Sequence, residues 1–256
     1  MSPLLLVYHQ DYLTSYYTST LECPARVKAI HAKLSTRFPM VEAQSARRED
    51  IRRIHTSALV ERVESESRET YETALLAAGG AIRASDEAMR GIPMFALVRP
   101  PGHHAGPDRY WGYCFFNNIA VAITRLMANG TIASAVVIDI DLHDGDGTEA
   151  IFRDNPAVNV INVRAKTRTV FLEFLEQKLT SASETDLLGI SAGFDTYVRD
   201  WGGILDTEDY RVIGSTIRTA AQRLCQSRCF AVLEGGYYLP DLGKNVLAFC
   251  EGLAGL

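Results

Sequence analysis

The sequence predicts an α/β protein in which a central, mostly parallel sheet carries helices on both faces. Two observations predict it: apolar runs rich in Val, Ile and Leu alternate with amphipathic stretches along the chain, and no linker, repeat or low-complexity block interrupts the alternation. A third concerns size: 256 residues with 47% apolar and 22% charged side chains can bury a large core. One domain over residues 1–256 is expected.

The elements follow in chain order. Apolar runs predict strands at PLLLVY (3–8), MFALVR (94–99), SAVVIDI (134–140), VNVINV (158–163), DLLGIS (186–191) and CFAVLE (229–234). Amphipathic spacing predicts helices at PARVKAIHAKL (24–34), SALVERVESES (57–67), ETALLAAGGAIRAS (72–85), NNIAVAITRLM (117–127), FLEFLEQKL (171–179) and TEDYRVIGSTIRTAAQRL (207–224). In the last, Tyr210, Ile213, Ile217 and Leu224 keep one buried face.

Composition narrows the function. No apolar run reaches the length of a membrane span, and MSPLLLVYHQ lacks the basic start and cleavage site of a signal peptide, so a cytoplasmic protein is expected. Five scattered cysteines without a CxxC pair fit reduced thiols in a core. A net charge of −5 argues against nucleic acid as the partner and would admit a cationic substrate. Membrane partners are not expected, and homo-oligomers stay open.

Four predicted strands run into polar, glycine-bearing segments: MFALV into RPPGHHAGP, SAVVIDI into DLHDGDGTE, DLLGI into SAGFD, and CFAVL into EGGYY. Ligands bind beyond the carboxyl ends of parallel strands, so these segments are expected to converge. DIDLHDGDG supplies Asp139, Asp141, His143, Asp144 and Asp146, and on an extended strand Asp139, Asp141 and His143 share one side. An isolated Asp-x-Asp reads more often as a solvated loop. Here the acids begin inside an apolar run, where unpaired carboxylates would be costly. Asp141, His143 and Asp195 form a nitrogen-and-oxygen set with room for water, as catalytic zinc sites do, and iron(II) fits the same set. His9, His31 and His55 sit at none of these strand ends and are read as structural; Tyr110 and Trp111 are balanced between rim and core.

RPPGHHA, GYCFFNNIAVA, DIDLHDGDGT, SAGFD with a following DTEDY, and EGGYYL resemble, in the same order, the motifs of the histone deacetylase and acetylpolyamine amidohydrolase family. The resemblance covers Arg99 to Leu239, with weaker likeness in YHQDYL and IRRIHTSALVERV. It implies an arginase-like fold and a zinc-dependent deacetylase that hydrolyses an N-acetylated amine with metal-activated water. By that resemblance, Asp141, His143 and Asp195 are the metal ligands and His103 and His104 the tandem histidines. His104 is then the proton shuttle and His103 its electrostatic partner, with Asp139 and Asp146 as their paired carboxylates. Tyr237 is the oxyanion donor, and Gly112, Tyr113 and Cys114 line the substrate channel. A potassium ion would use main-chain oxygens at Asp139, Asp141 and His143 and the side chain of Asn162. The substrate is left open among acetyl-lysine, acetylpolyamines and other small amides. A non-catalytic acyl-ligand binding module is the alternative, disfavoured by the intact Tyr237, His103 and His104.

Three departures bear on specificity. Asp144 stands where the family has a second His or an aromatic residue, and the family's first-loop motif is reduced to ECPARVKAI, which puts that loop in doubt. Between Val163 and Ser191 the chain has only a short link, one helix and a strand, where relatives place a long loop that walls the channel. A wider pocket is expected, unless a neighbouring subunit or the Tyr12 to Cys23 loop fills it.

Overall fold

The computed structural model describes residues 4–256, so Pro3 of the first predicted strand lies outside the described residues. Seven parallel strands, β1 (Leu5–Tyr8), β2 (Met40–Glu42), β3 (Met94–Ala96), β4 (Ala135–Asp139), β5 (Val158–Asn162), β6 (Leu187–Ala192) and β7 (Cys229–Leu233), lie in the order β2-β1-β3-β7-β6-β4-β5. The four central strands are buried at every position, because helices cover both faces. The edges β2 and β5 are only partly covered.

Around one face lie α3 (Ser57–Glu66), α4 (Arg68–Ala88) and α5 (Asn118–Ala128), with the short α2 (Arg48–Ile51) and α6 (Asp146–Phe152) beside α5. On the other lie α1 (Pro24–Leu34), α7 (Arg168–Ser181), α8 (Thr207–Cys225) and α9 (Leu239–Ala254). Among the described residues no helix is long and apolar enough to cross a membrane.

All six predicted strands and all six predicted helices are present, with some ends moved. The strand predicted over 134–140 stops at Asp139, where side-chain turns replace the extended backbone expected through His143: Asp139 Oδ1 accepts from the Asp141 N–H and Asp141 Oδ1 from the His143 N–H. α4 starts earlier than expected because Ser67 caps it, its hydroxyl oxygen accepting from the Thr70 N–H. The sequence reading omitted β2, α2, α6, α9 and a 3-10 turn over Gln10–Leu13.

α9 holds the most buried of these omitted segments. A Cβ on Gly252 would collide with the Arg211 carbonyl of α8, and one on Gly243 would stand 2.5 Å from the Ala29 carbonyl of α1. The glycines let α9 lie against both neighbours. His55 braces the other face: its Nδ1 donates to the Gly106 carbonyl (2.8 Å) and its Nε2 accepts from the Asn117 N–H (3.0 Å), which fixes a neutral tautomer. Burial lowers its pKa to about 4, against the opposing bond to Gly106.

Gly252→Ala should destabilise the protein by roughly 1–3 kcal/mol through overpacking of α8 against α9, measured by urea unfolding. An unchanged midpoint would mean that the helices shift freely. The unfolded chain takes a proton at His55 near pH 6.5 and the folded chain only near 4, so this contribution is full above pH 6.5 and is lost as pH falls toward 4. The stability advantage of wild type over His55→Gln should therefore shrink by about 2–3 kcal/mol across that window. A pH-independent difference would refute the neutral brace.

Candidate active site

β3, β7, β6 and β4 are neighbours and parallel, so their carboxyl ends open on one side and bring the four glycine-bearing segments together. The site stands at this edge.

Asp141, His143 and Asp195 place one donor atom each within 4.8 Å of one another. Nδ1 of His143 faces both carboxylates, 3.1 Å from Asp141 Oδ1 and 3.0 Å from Asp195 Oδ2. Asp195 Oδ1 accepts from the Leu142 N–H (2.9 Å), whereas the buried Oδ2 has no hydrogen bond of good geometry. Asp141 Oδ2 accepts from the Gly235 N–H (2.8 Å), and a Cβ on Gly235 would press to 2.6 Å from that oxygen and 2.9 Å from Asp195 Oδ2. Glycine keeps this space clear.

The electrostatics ask for positive charge here. Burial, and then the neighbouring Asp141, push Asp195 up to about 7. Burial also pushes on Asp141, but the His103 charge and bonds from His143 and Gly235 outweigh it and hold Asp141 well down. The bond to Asp141, and then the close Asp195 carboxylate, raise His143 to about 10, so a proton there offsets charge that a cation would offset instead. Two carboxylates, an imidazole and a buried unbonded oxygen fit a divalent cation that takes oxygen and nitrogen donors.

The tandem histidines are buried side by side, ring centroids 4.0 Å apart. His103 Nδ1 donates to Asp139 Oδ2 (3.0 Å) and His104 Nδ1 to Asp146 Oδ1 (2.8 Å), as the sequence reading paired them. Their pKa values are pushed apart. Burial works against the His103 charge, but Asp139 and Asp141 overcome it and raise His103 well above the ordinary value. Burial and the charge on His103 lower His104 to about 4. His104 is thus neutral with Nε2 open, beside a charged His103.

Gly112 has a left-handed backbone (φ +59°), and a Cβ there would collide with the His104 ring. Tyr113 is left-handed as well (φ 67°), a strained state for a bulky residue, and sets its ring edge-on to Tyr237 with centroids 6.1 Å apart. Cys114 is buried, its thiol pushed well up by burial. Trp111 is half-exposed: it stacks on His104 with centroids 3.8 Å apart, and its Nε1 donates to Asp146 Oδ2 (3.1 Å). Tyr110 instead packs on Phe115 and donates to Glu66.

Tyr237 follows Gly236, whose φ of +117° suits glycine. Its ring stacks on Trp201 at 4.4 Å and lies 4.8 Å from the Arg26 guanidinium, while burial holds the hydroxyl protonated. Asn162 pairs in register with Asp139, and its Oδ1 accepts from the Gly145 N–H (2.9 Å). Asp144 accepts from Arg164 Nε (2.5 Å).

Several participants escaped the sequence reading. Glu234 is fully buried; its Oε2 accepts from the N–H groups of Gly102 (2.6 Å) and His103 (3.1 Å), its Oε1 has no partner among the described residues, and burial raises it to about 7. A carboxylate closing the apolar run CFAVLE was the available signal. Asp200 Oδ2 accepts from the N–H groups of Tyr237 (2.6 Å) and Tyr238 (2.7 Å). Buried Arg26 donates to the carbonyls of Gly236 (2.6 Å) and Glu234 (2.5 Å), and buried Arg99 to Glu22 Oε1 (2.8 Å) and the Thr14 carbonyl (2.7 Å). The first loop is thereby tied to the site despite its reduced motif. No single segment of sequence signals this tie.

Beside the short link after Val163 lies a groove of about 840 Å³ that begins at His104 and His143. No residue of the Tyr12 to Cys23 loop lines it.

Comparison with known proteins agrees with this architecture. The histone deacetylase domain matches residues 20–171, more than half of the chain. A probable deacetylase of Methanothermobacter thermautotrophicus is 30% identical over 98% of this chain and 91% of its own. The acetylpolyamine amidohydrolase of Mycoplana ramosa is 31% identical over 73% of this chain and 64% of its own. The crystal structure of the HDA15 HD domain superimposes with a TM-score of 0.87 at 26% identity, covering 100% of this chain and 90% of that one. With seven parallel strands between two helical layers and a match over most of its length, the chain belongs to the histone deacetylase family.

Proposed function

We propose that this enzyme is a zinc-dependent deacetylase that hydrolyses an N-acetylated amine. The observation that carries the reading is the Asp141–His143–Asp195 donor set opening beside a neutral His104 whose Nδ1 is pinned by Asp146. Zinc held by those donors would lower the pKa of a water toward about 7 and polarise the acetyl carbonyl.

The chain's own groups supply the rest. With Nδ1–H committed to Asp146, His104 presents the lone pair on Nε2; it accepts a proton from the attacking water and returns it to the departing amine. His103, held charged by Asp139, balances the acids without competing for that proton. The Tyr237 hydroxyl, kept protonated by burial, donates to the oxyanion, with its main chain held by Asp200 and Arg26. In this reading Gly112 and Tyr113 line the substrate channel, and the buried Cys114 lies at its inner end. The same reading gives main-chain oxygens at Asp139, Asp141 and His143, with Asn162, to a potassium ion. The substrate class is an acetylamide of lysine, a polyamine or another small amine.

Asp195→Asn and His143→Ala should each lose zinc and activity together, because a three-ligand site cannot give up a donor and keep its geometry. Full zinc content by elemental analysis in both variants would refute the donor set. Tyr237→Phe keeps the ring stacked on Trp201 but removes the hydroxyl, so kcat should fall by roughly 10²–10³ with zinc content unchanged. Near-normal turnover would make Tyr237 a packing residue.

A further inference from the structure

The groove beside His104 and His143 has a chemistry of its own. Trp111, Leu142, Val163, Val170 and Phe171 give it apolar walls, and Val170 and Trp111 expose about half their surface: 48% and 50%. Its volume, about 840 Å³, falls among pockets that hold small organic molecules. Both of its acids face a cation: Asp144 pairs with Arg164, and Asp146, bonded to His104 and Trp111, has the Arg109 guanidinium 3.7 Å away. Lys166 also lines it and has no carboxylate partner among the described residues. No free negative charge waits there for an ammonium group, so the chain's overall charge of −5 does not extend to this surface.

The opposite side of the site is closed. His103, Cys114 and Glu234 are all buried and place their donor atoms within 4.8 Å of one another, which leaves the inner side to a short acyl group. The amine side of the amide must then face the groove.

We propose that the groove seats the leaving amine and selects N-acetylated amines that carry a flat apolar group and no second positive charge. This rests on the deacetylase reading above. An aromatic or alkyl amine covers the apolar walls and can stack along Trp111, while a polyamine brings charges that meet Lys166 and Arg164 and lose water without a partner. Contacts of this kind distinguish one amide from another at the stage of kcat/KM.

The test uses the zinc-loaded full chain with acetylated phenylalkylamine, monoacetylated polyamine and an acetyl-lysine peptide. Expected is a kcat/KM for the phenylalkyl acetamide at least ~10-fold above the polyamine, and a Val170→Asp variant in which that ratio falls ~10-fold or more. Calorimetric affinities of two hydroxamic acids, one with a phenylalkyl and one with an aminoalkyl tail, should show the same order. Chelator-sensitive turnover that favours the polyamine, or is equal across the series, would overturn the groove proposal and leave the deacetylase reading intact. So would a preference for long acyl groups over acetyl on one amine. No chelator-sensitive turnover of any acetamide, with no zinc-dependent hydroxamate binding, would sink the deacetylase reading and this proposal together.

Discussion

Asp139, Asp141, Asp195 and Glu234 are carboxylates buried side by side at the carboxyl edge of β3, β7, β6 and β4, and each must be compensated there. An isolated carboxylate in such a place costs several kcal/mol. Asp139 is compensated by His103, while Glu234 has two backbone N–H groups of the histidine loop on one oxygen only and is itself pushed up to about 7. Asp141 and Asp195 share His143, and that is not enough: Asp195 is pushed up to about 7. The residual demand for positive charge is what suits the place to a cation. It also dictates the glycines, since Gly235 must let the acids approach without a side chain between them.

The groups proposed to act are held by partners from distant parts of the chain. Tyr237 owes its position to Asp200, whose carboxylate accepts from its N–H, and to Arg26, which grips the carbonyl before it. Arg26 and Arg99 in turn share Glu22, and Arg99 reaches the main chain of the first loop. His104 is fixed from one side by Asp146 and from the face by Trp111. Orientation by a second set of buried, bonded groups keeps a proton donor or acceptor within the narrow range that catalysis requires.

How far the sequence revealed this depends on range. Each central strand is buried on both faces and therefore reads as an unbroken apolar run, and acids and histidines follow those runs directly, so the strands and the polar segments at their ends were visible locally. β2 escaped because three half-covered residues on an edge make no pattern. α9 escaped because Pro240, Gly243 and Gly252 look like turn residues, whereas Pro240 lies in the first turn and the glycines serve close approach to α1 and α8. Arg26 and Gly236 touch across 210 positions, a relation no local pattern carries. Trp201, a lone aromatic in a loop, gave no sign of its stacking on Tyr237.

The same division explains where this protein can differ from its relatives. Acids and histidines sit on the ends of fully buried strands, in a network where removing one member strands the charge of another. The link after Val163, the amino end of α7 and the indole of Trp111 lie outside that network or at its rim, next to the edge strand β5, and are half-exposed or exposed. Changes in them reshape the groove beside His104 and His143 without touching the buried acids. The buried charges are constrained by the centre of the sheet, and the groove surface is left to its margin.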